Sequence, residues 1–382
     1  LNLALKSKAM KRKLFTILAH LFLMSFVVYS QSWNTQVSGT TQNLRSVHFP
    51  TCQNGWVVGD GATIRVTSDG GQSWTAQTSP FTNANRDVTF LSATTGFIVG
   101  DAGLLIRTTN GGATWAAPAV TYLNSPNIYG ISFGSSTTGY AVGTSGSWFK
   151  TTNGGANWAQ QSNLIGATTN NWYKVFFINA TTGWVVGAGG AVARTTNGGT
   201  SWTVNSIGVA TDMNDVYFVS TTQGWAVGNN GVIRTTTDGG VTWTAQTSGT
   251  TQNLQHVQFV STTQGWAVGA NGVILTTTNG GATWTTQTSG TTNLLLGLHM
   301  NSSTQGWAVG ATGTILSFCS APSQPGTISG PASICPSVTA TYSVAAVGGA
   351  DFYTWSIPSG WTGTSSSNTI SVTSGTASGT FS

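Results

Sequence analysis

Between residues 32 and 318 the apolar positions fall in runs of four to six, separated by clusters of Gly, Asn, Asp, Ser and Thr. One stretch shows the grammar. Gln255 to Val260 alternates polar with apolar, Ser261 to Gln264 is turn-forming, and Gly265-Trp266-Ala267-Val268-Gly269 is almost wholly apolar. After an Asn271-Gly272 turn come Val273 to Thr277, then Asn279-Gly280-Gly281, then Thr283 to Gln287. β-Branched and aromatic residues favour extended backbone, and Asn-Gly and Gly-Gly supply the positive φ that tight turns need. Each unit therefore predicts four short strands, and no 3.6-residue periodicity predicts a helix.

The unit repeats. A Gly-aromatic-x-Val-Gly motif begins at Gly55, Gly96, Gly139, Gly183, Gly224, Gly265 and Gly306, at spacings of 41, 43, 44, 41, 41 and 41 residues. A Trp closing an S/T-x-D/N-G-G-x-x-W stretch falls at Trp74, Trp115, Trp158, Trp202, Trp243 and Trp284, and Trp33 extends that series one period earlier. Four strands every 40 to 45 residues predict an all-β fold, a seven-bladed β-propeller. The seventh unit stops after Thr314 to Phe318 without a fourth strand, while Ser32 to Gln36 is a spare one. The N-terminal strand is expected to close the last blade and remove the free edges of the array.

Composition narrows the function classes. Of 382 residues only 21 are charged, and Glu is absent, which excludes charge-driven disorder and long Glu/Lys helices. Lys6, Lys8, Lys11, Arg12 and Lys13 precede the apolar run Leu14 to Tyr29, the pattern of a secretory signal within residues 1–30, with Met10 as the expected start. Removing those residues leaves eight cations against eight Asp, which gives no electrostatic case for nucleic acid or an anionic membrane. The mature chain is expected to lack a membrane span and to be a monomer, secreted or held at the outer cell surface.

The pattern at Thr67 to Trp74, with counterparts at Thr108, Thr151, Thr195, Thr236 and Thr277, resembles the Asp-box (BNR repeat) of sialidase-like and sortilin-like propellers. Asp69, Asn110, Asn153, Asn197, Asp238 and Asn279 are expected to cap turns, and Trp74, Trp115, Trp158, Trp202, Trp243 and Trp284 to pack between blades. Six near-identical copies cannot all be one active site. With the Gly-Trp-x-Val-Gly motif, residues 32–318 resemble propellers of the photosystem II stability and assembly factor type. Photosynthetic members act as scaffolds with a basic patch, so Arg107, Lys150 and Arg194, at one register of three successive third strands, form a candidate stripe. The alternative is isolated cations that solubilise outer strands.

One propeller face is expected to collect Arg45, Asp60, Arg86, Asp87, Asp101, Tyr129, Tyr173, Lys174, Asp212, Asp215 and His256 as a binding rim. No catalytic residue is assigned. A sialidase-like hydrolase would use Asp60, Asp101 or Asp87, yet it would need a Glu that the chain lacks, and Asp60 and Asp101 stand in Gly-flanked turns. His48 and His299 share a register in adjacent blades, but that register holds many residue types elsewhere, so packed histidines are favoured over a metal pair. No metal or cofactor is expected.

Cys52 and Cys319 are brought to one face by ring closure and form a candidate disulfide; Cys319 with Cys335 is the other pairing. Domain organisation reads as a propeller over 31–319, a linker over 320–327 and a β-sandwich over 328–382. The last part resembles a PKD-like, immunoglobulin-type domain of secreted Bacteroidetes proteins, and an adhesion role with type IX secretion is what that resemblance implies. Roughly 60 residues are too few for a complete sandwich of about 100. Thr339 to Val344, Phe352 to Ile357 and Asn368 to Val372 are its expected strands, with Trp355 in its core. Binding of a protein or glycan by the propeller rim is the expected function, with a glycoside hydrolase as the alternative.

Overall fold

A computed structural model describes residues 32–121, 125–162, 165, 169–319 and, further on, 328–329, 339–345, 355, 357, 361–365 and 367–374. The expected signal segment and the expected strand at Phe352 to Ile357 lie largely outside the described residues. Seven antiparallel sheets follow one another along residues 32–319 as the blades of a propeller. Blade 1 runs Leu44–His48, Gly55–Gly59, Ile64–Thr67 and Thr75–Ala76 from the inside outward. Blade 7 is completed by Ser32–Gln36, which pairs antiparallel with Ile315–Cys319 so that Trp33 faces Phe318. The ring is thus closed by the two ends of the propeller chain, as the repeat count predicts.

Blade 2 departs from four strands. Its third strand, Leu105–Thr108, meets the expected fourth only at a bridge between Arg107 and Ala116. Pro118 follows two residues later and has no N–H to donate, so the ladder cannot continue. The chain instead crosses to blade 3, where Ala119–Thr121 pairs parallel with Asn157–Gln160 as a fifth strand.

The repeat motifs are explained by blade-to-blade packing. The aromatic residue of one motif stacks on a Phe of the next blade's inner strand: Trp184 on Phe218 at 3.5 Å and 7°, Trp225 on Phe259 at 3.5 Å and 9°. The Asp-box Trp meets the same Phe edge-on, as Trp284 does Phe259 at 5.8 Å and 87°. Such pairs add about 0.5–1.5 kcal/mol beyond area burial. The first motif glycine is required by the ring above it: a Cβ on Gly265 would lie 2.5 Å from Phe259. Blade 7 substitutes Met300 at the Phe position, and there Trp266 packs edge-on to Phe318 at 5.9 Å.

The Asp-box is a hydrogen-bonded turn. Thr67 Oγ1 accepts from the Gly71 and Asp69 amides and donates to Asp69 Oδ1 at 2.6 Å, while that oxygen accepts from Ser73 N at 3.0 Å. Asn110, Asn153, Asn197 and Asn279 make the equivalent bonds with an amide oxygen, as Asp238 does with its carboxylate. In the C-terminal part, Thr339–Ser343 pairs with Thr369–Thr373 over a cluster of Tyr342, Ile370 and Val372 against which Trp355 packs.

Candidate functional site: the channel mouth

The seven inner strands surround a central channel, and each carries an irregularity at the same place. In blade 1 the register jumps between Leu44 and Ser46, in blade 2 between Asn85 and Asp87, and in the other five at the equivalent step. A β-bulge sets two residues of one strand opposite a single partner, so neighbours that alternation would send to opposite faces can both be aimed the same way. Arg45 and Ser46 both line the channel mouth for this reason, as do Arg86 and Asp87, Tyr173 and Lys174, Asn214 and Asp215, and Gln255 and His256.

Two rings result. The bulged residues Arg45, Arg86, Tyr129, Tyr173, Asn214, Gln255 and Leu296 form the mouth of a cavity of about 330 Å³. Their successors are Ser46, Asp87, Gly130, Lys174, Asp215, His256 and Gly297, which share one ladder position opposite the motif valine or its equivalent. Ser46, Asp87, Lys174, Asp215 and His256 also line the channel cavity below, so they mark its waist.

The mouth arginines are held. Arg45 reaches Asp60 through Nε at 2.5 Å and Nη2 at 3.0 Å, and Arg86 reaches Asp101 through both nitrogens at 2.7 Å. Asp60 and Asp101 therefore stand behind the mouth, outside the cavity lining, and fix the guanidinium planes. The Arg45 and Asn43 side chains hold the Asp60 carboxyl below its usual value against the opposing effect of burial, which is the largest single influence. Asn214 is clamped in the same way by Asn229 at 3.1 Å. Tyr129 and Tyr173 are 5.9 Å apart, and Arg86 lies 5.7 Å over the Tyr129 ring. Asp212 accepts from Gly189 N at 2.8 Å and from Tyr173 Oη at 3.3 Å; Asn127, Asn171 and Asn253 cap the corresponding turns elsewhere, so its first role is structural.

At the waist, Asp87 is saturated. It accepts from Ser46 Oγ at 2.7 Å, Val88 N at 3.1 Å, Ile131 N at 3.1 Å and Lys174 Nζ at 2.9 Å. Asp215, at the same register three blades on and 2% exposed, is not. Its Oδ2 accepts from Val257 N at 2.8 Å and lies 3.2 Å from His256 Nδ1; the Val216 amide also favours the charged carboxylate, and Oδ1 is buried with no donor in hydrogen-bonding geometry. Burial pushes the Asp215 carboxyl up to about 7, and burial holds His256 down to about 3. Below them the His48 and His299 rings are 4.8 Å apart, both pushed down by burial, and His299 Nε2 bonds Asn301 Oδ1 at 2.9 Å. Among the described residues no cluster of three or more His, Cys, Asp or Glu side chains could hold a metal ion.

Sequence reasoning thus names most of the lining and misses Ser46, Asn214, Gln255 and Leu296. The signal was available, since the bulged residue stands ten positions, and its successor nine, before the first glycine of every motif. The basic stripe lies elsewhere. Arg107, Lys150 and Arg194 share a ladder position opposite Phe97, Tyr140 and Trp184. Lys150 Nζ donates to Gly198 O at 2.7 Å, tying its blade to the next Asp-box turn, and Arg107 lies 5.8 Å over the Phe97 ring. Arg65 and Arg234, one residue out of phase, instead bond Gly39 O and Gly208 O.

Cys52 is a free, exposed cysteine, so the expected bridge to Cys319 is not formed. Cys319 is placed on the expected face, but its ladder partner Gln305 sends Nε2 to Cys52 O at 3.5 Å, which puts Gln305 between the two segments.

Fold and site together define a seven-bladed propeller of Asp-box type with a polar cavity assembled from all seven inner strands. Residues 26–120, 118–208 and 201–288 match the family described as photosynthesis system II assembly factor YCF48, and residues 321–382 match the PKD-like domain family. The chain belongs to the YCF48 family. Among solved structures it resembles YCF48 bound to D1 peptide, at 20% identity over 77% of this chain and 96% of that one, with a TM-score of 0.66. YCF48 from Cyanidioschyzon merolae is similar at 20% identity over 75% and 98%, TM-score 0.65, and the WD40 β-propeller domain of Doa1 at 11% over 75% and 96%, TM-score 0.61. No curated protein matches the chain.

Proposed function

We propose that this chain is a non-catalytic binding or scaffold protein, exported to the cell surface or medium, that recognises a polypeptide segment at the channel mouth. The observation that carries this reading is the cavity itself. Arg45 and Arg86 present fixed guanidinium groups beside Tyr129 and Tyr173, and preorganised donors next to aromatic surface are the composition of protein-binding hot spots. A solved relative carries a D1 peptide, which favours a polypeptide over a glycan. Hydrolysis by the Asp residues is disfavoured because Asp60 and Asp101 are each engaged by an arginine and Asp87 by Lys174.

The test is a peptide array and a glycan array probed with the full chain and its Arg86→Met and Tyr173→Ala variants. Peptides retained by the parent and lost by both variants support the reading. Retention unchanged by either variant, or turnover of a glycan, overturns it. Export rests on the N-terminal pattern, and N-terminal sequencing of the protein recovered from medium and outer surface should begin near Gln31.

A further inference from the structure

The waist of the channel has an unbalanced charge and an unused acceptor, and neither is explained by packing. Asp87 and Asp215 are buried carboxylates, with side chains 5% and 2% exposed, and the ammonium within bonding distance of either is Lys174, which bonds Asp87. Asp87 has a partner for both oxygens. Asp215 Oδ1 has none, and neither does His256 Nδ1 in hydrogen-bonding geometry. A buried acceptor without a donor costs the full desolvation of that oxygen, and such an atom in a folded protein calls for an explanation.

The surroundings make the missing partner a cation. Each cation of the lining is already paired, Arg45 with Asp60, Arg86 with Asp101 and Lys174 with Asp87, which leaves Asp212 and Asp215 in the lining without one. The neighbours cannot supply the proton donor themselves. His256, on the next inner strand, is held neutral by burial, so it brings no positive charge, and its Nδ1 faces Oδ2; Lys174, on the preceding strand, is already committed to Asp87. Tyr173 gives its hydroxyl to Asp212 at 3.3 Å, and Tyr217, on the strand of Asp215, is hydrogen-bonded with the Gln258 side chain. Gly130 and Gly297 occupy two of the seven waist positions, so no side chain from those blades fills the space.

We infer that the channel waist is a receptor for a primary ammonium group, from a lysine side chain or a chain N-terminus of the bound polypeptide, which donates to Asp215 Oδ1. This deepens the proposed function and rests on it. Without ligand, a proton on Asp215 Oδ2 directed at His256 Nδ1 gives that nitrogen a partner and leaves Oδ1 without one. When the ammonium enters, that proton leaves to solvent and the carboxylate balances the new charge. Binding is therefore coupled to release of one proton. It weakens as the pH falls through the carboxyl's value of about 7, while a lysine ammonium and Lys174, whose value is raised, stay charged and His256 stays neutral; an α-ammonium, which titrates at about 7.7–8.0, also loses charge toward pH 8.

Isothermal titration of the full chain with Nα-acetyl-lysinamide, its Nε-acetylated form, and glycinamide tests this. One of the two free amines should bind at least tenfold more tightly than the acetylated compound, and which one does so identifies the source of the ammonium. Asp215→Asn, which removes the charge and keeps the shape, should cost at least tenfold, and affinity for the lysine compound should fall about tenfold from pH 8 to pH 6, as the ionised fraction of a group titrating near 7 does, and for glycinamide about fivefold. Equal binding of the acetylated compound, or undiminished binding by Asp215→Asn, overturns the inference. If peptides found on the array are lost with Arg86→Met yet indifferent to Asp215→Asn and to amine acetylation, the mouth remains the binding site and the ammonium receptor alone is refuted.

Discussion

Replacing Trp33 with alanine removes the side chain that fastens the ring. Trp33 is 6% exposed, its ring centroid lies 5.0 Å from that of Phe318, and its Nε1 donates to Gln287 Oε1 at 2.9 Å. Truncating a buried Trp costs about 3–5 kcal/mol, and the lost hydrogen bond contributes about 1 kcal/mol more. That is a large share of the roughly 5–15 kcal/mol by which a domain is stable. At roughly 2 °C per kcal/mol for a large domain, the melting temperature should drop by about 8–12 °C. Urea unfolding followed by circular dichroism gives the free energy directly. Trp284→Ala is the internal reference, since Trp284 fills the same position within the unbroken blade 6 and donates to Gln246 Oε1 at 3.1 Å. The two losses should agree. A loss below about 1 kcal/mol for Trp33→Ala beside a full loss for Trp284→Ala would refute closure by the N-terminal strand.

Three further outcomes are expected. Asp215 holds its proton to about pH 7 in the fold but only to its ordinary value of 3.8 when unfolded, so stability falls as pH rises between those values; Asp215→Asn should flatten that fall, read as urea midpoints at pH 4.5 and 7.5. The Asp69 carboxyl is pulled down to about 2 by hydrogen bonds from Ser73 and Thr67, so its contribution is present above about pH 4 and lost as pH falls toward 2. Asp69→Asn should keep the turn, as Asn110 does, and remove that acid-sensitive component from an acid-unfolding curve. Gly265→Ala should destabilise by about 1–3 kcal/mol, because the new methyl meets the Phe259 ring, and a double-mutant cycle with Phe259→Leu should recover part of the loss.

The period, the blade count and the splice of Trp33 beside Phe318 were legible because they depend on local patterning repeated seven times, and each copy corroborates the others. The membership of the rim was legible in part for the same reason: Arg45, Arg86, Tyr129, Tyr173, Lys174, Asp215 and His256 fall at repeated offsets and do converge. Pro118 ending the fourth strand of blade 2 could also be read locally, although where the chain goes next could not.

What the linear order could not decide was direction and partnership. Alternation alone sends Arg45 and Ser46, or Asn214 and Asp215, to opposite faces; the bulge that overrides it arises from how each inner strand meets its neighbours. Asp60 and Asp101 read as rim acids and prove to be anchors for arginines, and Lys150 reads as a surface cation and proves to be an inter-blade tie. Two aspartates at one register, Asp87 and Asp215, are equivalent in the sequence and opposite in chemistry. One faces Lys174 and Ser46 across the ring and the other faces a neutral histidine, because ring closure, acting over dozens of residues of chain, selects which side chains share the low-dielectric channel.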